Sequence, residues 1–111
     1  MPRPLPPGLR DALAAYRSRL EKRFGDALIE LRLFGSYATG RADEESDVDV
    51  FVVLREAGGR DRRDAIDLAT DLMLETDFPI SPTVMDEATR EVHRRQERPL
   101  VMDVERQGIA I

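Results

Sequence analysis

The apolar run from Val48 to Leu54 constrains the fold more than any other part of the sequence. Apart from Asp49, it consists entirely of valine, phenylalanine and leucine. β-Branched and aromatic residues are enriched in strands, so the run predicts a central strand. Aspartate is depleted in strands, which makes the two acids at the start of this one, Asp47 and Asp49, its most informative residues.

Two further strands are predicted on either side of this run in the sequence. The segment from Ala27 to Phe34 alternates, with Ile29, Leu31 and Leu33 on one face and charged residues on the other. This pattern is typical of a half-exposed strand. The segment from Phe78 to Met85 is a third candidate. Its two prolines make it irregular or peripheral, because proline cannot donate a hydrogen bond to a strand ladder.

Helices are predicted where apolar residues recur at three- and four-residue spacing. Such spacing runs from Leu9 to Phe24 and from Asp61 to Glu75. The remaining predictions are a helical turn at Tyr37–Thr39, a helix at Glu87–Gln96 capped by Asp86, a helix at Pro99–Arg106 and a short pairing segment at Ile109–Ile111.

The order of these elements predicts the fold class. Helix, strand, strand, helix, strand and helix together indicate a compact α/β (α+β) fold with a small mixed sheet and helices packed on one face. A chain of 111 residues fits one domain, so residues 1–111 are predicted to form a single domain.

Composition limits the chemistry that the chain can perform. It has no cysteine and one histidine, His93, so a bound metal would be held by carboxylates, which favour Mg²⁺ or Mn²⁺. His93 is predicted to lie on a helix surface. The formal net charge of −5 argues against direct nucleic-acid binding. Four late arginines indicate a solvated helix face or a docking patch: Arg90, Arg94, Arg95 and Arg98.

The sequence also bears on location. No apolar run reaches the length of a membrane-spanning helix. The start, Met1 to Gly8, has no apolar signal core. We therefore expect a cytoplasmic protein that makes no membrane contact.

The two aspartates form a candidate metal site. At positions i and i+2 of an extended chain, Asp47 and Asp49 share a face, with Cα atoms about 6.6 Å apart at ~3.3 Å per residue. Two carboxylates that close repel each other unless a cation lies between them. Magnesium is typically held by one or two carboxylates, and it completes its shell with waters and substrate phosphates.

A candidate phosphate-binding turn precedes the acids. Gly35, directly after a predicted strand, lets the backbone approach a ligand closely, and the amides that follow can point at an anion. The Ser36 hydroxyl can donate to a phosphate oxygen. Two neighbouring strands would place this turn beside the acids. Glycine–serine turns and Asp-x-Asp strand ends are each common alone, but in this order and spacing they favour a nucleotide site.

At these residues the sequence resembles a known family. Gly35-Ser36, ten intervening residues and Asp47-x-Asp49 resemble the signature of the DNA polymerase β-like nucleotidyltransferase superfamily. The fuller pattern Gly-Ser-x-x-x-Gly-x-x-x-x-x-Ser-Asp-x-Asp and the chain length resemble its minimal members, which are often antitoxins paired with HEPN-domain ribonuclease toxins.

The resemblance implies ATP as co-substrate, Mg²⁺ as cofactor and AMP transfer to an acceptor hydroxyl, which in those pairs is a tyrosine of the HEPN partner. It implies that Gly35 and Ser36 bind phosphates. Asp47 and Asp49 would be the catalytic metal ligands. Ser46 would join the cofactor-binding residues, chiefly by orienting its loop.

The sequence departs from the superfamily pattern at one position. The resemblance implies a third carboxylate on a later strand, and the aligned residue is Ser81, which cannot act as a base or replace a charged ligand. Asp77 and Asp86 flank that strand and are the alternatives, although a turn residue for Asp77 and a helix cap for Asp86 are the favoured explanations. Two neighbours of the turn also have alternative roles. Arg41 either contacts a phosphate or the acceptor, or it is an exposed loop residue without a function. Tyr37 either packs in the core or contacts the nucleotide.

Three functions are compatible with these residues. The first is an adenylyltransferase that modifies a partner protein as an antitoxin. The second is a nucleotide-binding module that neutralises its partner by occlusion, because Ser81 has replaced the third acid. The third is a transferase that acts on a small molecule or on tRNA. The acidic charge disfavours tRNA as the acceptor. The sequence leaves homo- and hetero-oligomers open.

Overall fold

A computed structural model describes residues 5–111, so the first four residues of the proline-rich start, used above to argue against secretion, lie outside it. The observed elements, in chain order, are α1 (Leu9–Phe24), a 3-10 turn (Gly25–Ala27), β1 (Leu28–Phe34), α2 (Ser36–Thr39), β2 (Val48–Leu54), α3 (Gly59–Thr76), β3 (Ile80–Asp86), α4 (Glu87–Arg95), α5 (Pro99–Gln107) and β4 (Ile109–Ala110).

The four strands form one mixed sheet with the spatial order β3-β2-β1-β4. β1 runs antiparallel to both β2 and β4, whereas β3 runs parallel to β2 across the α3 connection. β2 is central and β3 lies at an edge, as their sequences predict. The edge position suits β3, because Pro82 has no amide hydrogen to donate to a second neighbouring strand.

The two long helices cover one face of the sheet. The side chains of Val50, Val52 and Leu54 point to this face and pack in one buried cluster with residues of α1 and α3. Tyr16 of α1 is fully buried, and its hydroxyl donates to the carbonyl oxygen of Ala65 in α3 at 2.9 Å. This bond ties the two helices together beneath the sheet.

The opposite face is covered by α5. Val101 and Val104 of this helix pack in a second buried cluster with Phe51 and Val53 of β2. The predicted mixed sheet and fold class are confirmed, but the helices are not confined to one face. The reason lies in β2, where Phe51 and Val53 make the second face apolar as well.

One side chain of β1 departs from the predicted alternation. The pairing of β1 with β2 is irregular between Leu28 and Glu30, and Ile29 at this irregularity is 37% exposed instead of sharing the buried face with Leu31. An extra residue of this kind redirects a side chain. Beyond it, Glu30 pairs with Val53 across the strands, on the face that α4 and α5 cover.

The late arginines are only partly a solvated surface. Arg90 is largely buried, with 14% of its side chain exposed, and it pairs with Glu30 at 3.3 Å. Arg94 pairs with Glu91 and Glu105. Arg95 and Arg98 are exposed, and His93 is half-buried on the same helix.

No helix among residues 5–111 combines the length and the apolar character that crossing a membrane requires.

Candidate functional site

The antiparallel pairing of β1 and β2 brings the two halves of the predicted site together. Phe34, the last residue of β1, lies opposite Asp49 near the start of β2. Gly35 and Ser36 follow Phe34, so the turn and the acid pair meet at one end of the sheet. The loop between the strands spans only the residues from Gly35 to Asp47, which makes this proximity a direct consequence of the hairpin-like connection.

Gly35 is in direct contact with Asp49. Its backbone has φ +73° and ψ −152°, a region essentially confined to glycine. A β-carbon at this position would lie 2.2 Å from Asp49 Oδ2. The turn is therefore packed onto the carboxylate so closely that no side chain fits between them.

The residues after Gly35 form the single turn of α2. Thr39 Oγ1 donates to the carbonyl oxygens of Gly35 and Ser36, at 3.3 Å each. Among residues 5–111, no acceptor is found for the amides of Ser36 and Tyr37, as is usual for the first amides of a helix. The Tyr37 side chain is buried in the main core, so of its two predicted roles the structure favours packing.

Ser46 organises the loop that leads into the acids. Its hydroxyl donates to Asp43 Oδ1 at 3.2 Å and accepts from the Asp43 amide at 3.0 Å. The Glu45 amide donates to the same carboxylate oxygen at 2.9 Å. This network is compatible with the orienting role that the resemblance implies for Ser46, and both that role and a contact between Ser46 and a cofactor remain predictions.

Asp47 and Asp49 differ in their surroundings. Asp47 is exposed, whereas Asp49 is half-buried beside the glycine turn. Burial, and secondarily the negative charge of Asp47, raise the pKa of Asp49 above its ordinary value. Both effects disfavour an isolated carboxylate, and a divalent cation between the two acids would relieve them. The pair offers hard oxygen donors on one face, which fits one Mg²⁺ or Mn²⁺.

Ser81 is the residue that the sequence aligns with the third carboxylate implied by the family resemblance. It is the direct register partner of Asp49 in the parallel pairing of β2 and β3, and it is exposed. In-register residues of adjacent parallel strands project to the same face. The structure thus places a serine beside Asp49 on the same face of the sheet, and its correspondence to the third acid of the superfamily remains a prediction.

The two alternative acids have other structural roles. Asp77 terminates α3 in a left-handed conformation, with φ +64°. Asp86 caps α4, accepting from the Thr89 amide at 2.6 Å, and it lies opposite Leu54 at the far end of β2. Hydrogen bonding by Thr89, first through its side chain and second through its backbone amide, lowers the pKa of Asp86. Residues 5–111 contain no group of three acidic or histidine side chains placed to hold a metal ion.

A cleft of about 570 Å³ adjoins the turn on the side of α5. One wall is formed by the turn and its loop, including Ser36 and Arg41, and the other by Leu100, Asp103 and Gln107. The Arg41 side chain is exposed and pairs with no carboxylate in the described chain. The α5 residues could not be found from sequence, because no motif links them to a turn so far back along the chain.

The family model described as the nucleotidyltransferase domain matches residues 13–99, a stretch that contains the turn, both acids and Ser81. The chain belongs to the nucleotidyltransferase family. A provisionally named protein adenylyltransferase of Methanocaldococcus jannaschii is 31% identical to this nucleotidyltransferase over 99 residues, which cover 86% of the chain and 66% of that relative. The chain therefore spans about two thirds of the relative's length.

Solved structures share the fold of this nucleotidyltransferase. A provisionally assigned minimal nucleotidyltransferase superposes with a TM-score of 0.59 and 28% identity, covering 93% of this chain and 92% of that one. A toxin–antitoxin crystal structure with AMP-PNP superposes with a TM-score of 0.54 and 22% identity, covering 86% of this chain and 68% of that one. At 22% identity, the similarity to the toxin–antitoxin structure shows a shared fold and nothing more.

Proposed function

We propose that this nucleotidyltransferase uses a divalent cation, Mg²⁺ or Mn²⁺, to transfer AMP from ATP to a hydroxyl group of a partner protein. The observation that carries the proposal is the contact between Gly35 and the carboxylate of Asp49. It joins a turn with free amides to a pair of acids, and a triphosphate held by the turn would lie directly over Asp47 and Asp49.

The transfer is a displacement at the α-phosphorus of ATP. The acceptor oxygen forms a bond to this phosphorus, the bond to the bridging oxygen breaks, and pyrophosphate leaves while the hydroxyl proton passes to a base or to water. A divalent cation bound to Asp47 and Asp49 would neutralise the charge that accumulates on the phosphates. The catalytic role of both aspartates is to hold it.

Residues of this chain would also bind the nucleotide. The Ser36 hydroxyl and the free amides of the turn are donors at the point where phosphates would lie. Arg41 projects from the wall of the adjoining cleft without a carboxylate partner among residues 5–111, so its guanidinium is available to phosphate. Ser46 holds the loop that positions Asp47.

The proposed partner is a HEPN-domain ribonuclease toxin, with this chain as the antitoxin. The motif resemblance supports this partner, and the name of the M. jannaschii relative supports a protein as acceptor. The shared fold of a toxin–antitoxin assembly is compatible with it. A cytoplasmic location belongs to the same proposal.

Mass spectrometry tests the proposal directly. The chain is incubated with Mg-ATP and the cognate HEPN-domain protein, and the intact mass of the partner is measured. We expect the mass of one or more AMP groups to be added, with none added by Asp49→Asn. A partner that forms a complex with the folded chain but gains no mass at any Mg²⁺ or Mn²⁺ concentration would refute the transfer.

A second candidate is a nucleotide-binding module that neutralises its partner by occupying it. The presence of Ser81 beside Asp49, where an acid would complete the site, favours this function. Calorimetry with ATP distinguishes the two candidates. Saturable ATP binding without AMP transfer, together with inhibition of the toxin by Asp49→Asn, would establish occlusion.

A further inference from the structure

We infer that this chain supplies ligands for one divalent cation only, and that Ser81 marks an open second position beside it. The inference rests on the proposed nucleotide site and specifies how that site is completed. It follows from the register of two strands, from the positions of the neighbouring acids and from the number of ligands that a second cation would need.

The register fixes where a third ligand would lie. Ser81 and Asp49 are paired on adjacent parallel strands, which are spaced by about 4.8 Å. Their side chains project to the same face of the sheet. A carboxylate at position 81 would therefore face the Asp49 carboxylate across a gap that a metal ion can bridge, whereas the serine hydroxyl is short and uncharged.

Neither of the acids that flank β3 takes this position. Asp86 is five residues further along β3, about 16 Å away at ~3.3 Å per residue, and its carboxylate caps α4. Asp77 precedes the strand, at the end of α3. The absence of any three-membered acidic or histidine group among residues 5–111 agrees with this geometry.

The number of protein ligands points to the same conclusion. In sites with two metal ions the cations lie about 3.5–4 Å apart, and each is held by protein ligands. Asp47 and Asp49 can hold one cation, whose shell a bound triphosphate and waters would complete. A second cation would have no ligand of its own from the described part of this chain.

The open position is also accessible. Ser81 is exposed at the sheet edge formed by β3, so an acceptor can approach the acid pair from this side. Because this chain places no base at position 81, the acceptor hydroxyl has to lose its proton to a group of the partner or to water.

Counting bound Mn²⁺ by electron paramagnetic resonance tests the inference without relying on turnover. Each protein is titrated with Mn²⁺ in the presence of AMP-PNP, and protein-bound ions are counted after correcting for the nucleotide complex free in solution. We expect one ion per chain for the wild type and two for Ser81→Asp. Ser81→Asn, which adds the same bulk without charge, serves as the matched control and should bind one.

Each outcome decides something. Two ions on the wild type would overturn the inference, and one ion on a folded Ser81→Asp would show that position 81 is not the missing site. Circular dichroism establishes folding, and if Ser81→Asp is unfolded, Ser81→Glu replaces it. Failure of the wild type to bind any Mn²⁺–nucleotide would overturn both this inference and the proposed function. One ion on the wild type without AMP transfer would leave the inference standing and refute the transfer alone.

Discussion

The α-carbon of Gly35 packs directly against the carboxylate of Asp49, so that a β-carbon at position 35 would lie 2.2 Å from Oδ2. The first prediction follows from this contact. Gly35→Ala should displace the turn or the carboxylate, reducing nucleotide affinity by at least about tenfold, and should cost about 1–3 kcal/mol of stability because the backbone conformation suits only glycine. Calorimetry with AMP-PNP and chemical denaturation measure the two effects.

Two other glycines provide matched controls for Gly35→Ala. Gly25 also has a positive φ, +57°, but a β-carbon there would meet nothing within 4 Å. Gly25→Ala should therefore lower stability and leave nucleotide affinity unchanged. Gly59→Ala, at the start of α3 and without a positive φ, should leave nucleotide affinity unchanged and raise stability by about 0.4–1 kcal/mol. If Gly25→Ala and Gly35→Ala reduced affinity equally, strain would explain the effect and the contact with Asp49 would not.

Replacing Asp49 should have opposite effects on the free and the ligand-bound protein. A carboxyl group whose pKa is raised on folding lowers stability as the pH rises from its unfolded pKa through its folded pKa, because the folded state holds the proton longer. At neutral pH without metal, Asp49→Asn should thus melt above the wild type. With Mg-ATP the order should reverse, since only the wild type gains stability from binding.

The same substitution should abolish transfer. Groups that hydrogen-bond to a metal ligand already contribute about 10–100-fold to metal affinity or activity. Loss of a direct ligand should therefore reduce AMP transfer by more than about a hundredfold. Thermal melts with and without Mg-ATP, and the mass assay, provide the measurements. If Asp49→Asn retained both ligand stabilisation and transfer, the assignment of Asp49 to the metal site would be contradicted.

The pKa of Asp49 should respond to Asp47 only in part. Burial is the larger cause of the raised pKa, and the charge of Asp47 is the second. Asp47→Asn should therefore lower the pKa of Asp49 without returning it to the ordinary value of an aspartate. Carbon-13 NMR of the carboxyl groups across a pH titration measures this change. A complete return to the ordinary value would mean that charge, and not burial, dominates.

The sequence was sufficient for the parts of this fold that local patterns determine. The apolar run of β2, the helical spacing of α1 and α3 and the Asp86 cap each depend on neighbouring residues, and the structure contains all of them. The alignment of Ser81 with a third acid came from the family resemblance and stays a prediction, whereas the pairing of Ser81 with Asp49 is a finding of the structure. The local features were predictable because each depends on residues that lie close together in the sequence.

The remaining features depend on contacts between distant residues. The irregular pairing that exposes Ile29 is imposed by the partner strand and leaves no mark in the alternation of β1. The prediction of helices on one face missed α5: Phe51 and Val53 make the second face apolar, but they do not specify which helix covers them. The α5 wall of the cleft, with Asp103 and Gln107, follows only from that packing.

Removing the hydrogen bond between Tyr16 and Ala65 tests the packing of the core without changing the nucleotide site. The hydroxyl is buried and donates to a helix carbonyl at 2.9 Å, and a hydrogen bond of this kind contributes about 1 kcal/mol. Tyr16→Phe should lower the free energy of unfolding by about that amount and leave AMP-PNP affinity unchanged. Urea denaturation gives the first quantity and calorimetry the second; a loss of affinity without a loss of stability would contradict this placement.

Arg41 should contribute to nucleotide binding through its charge. It lines the cleft beside Ser36 and pairs with no carboxylate among residues 5–111. Charge-assisted hydrogen bonds to phosphate contribute about 1.5–3 kcal/mol, and exposure to solvent reduces this, so Arg41→Ala should weaken ATP binding by about tenfold. Arg41→Lys should restore part of the affinity. Arg63 is an exposed arginine on α3, so Arg63→Ala is the charge-matched control and should have no effect.

The contribution of Arg41 should also depend on salt, because exposed charges are screened by dissolved ions. The difference in ATP affinity between Arg41→Ala and the wild type should shrink as the NaCl concentration rises. A difference that is independent of salt would indicate a structural role for Arg41 instead.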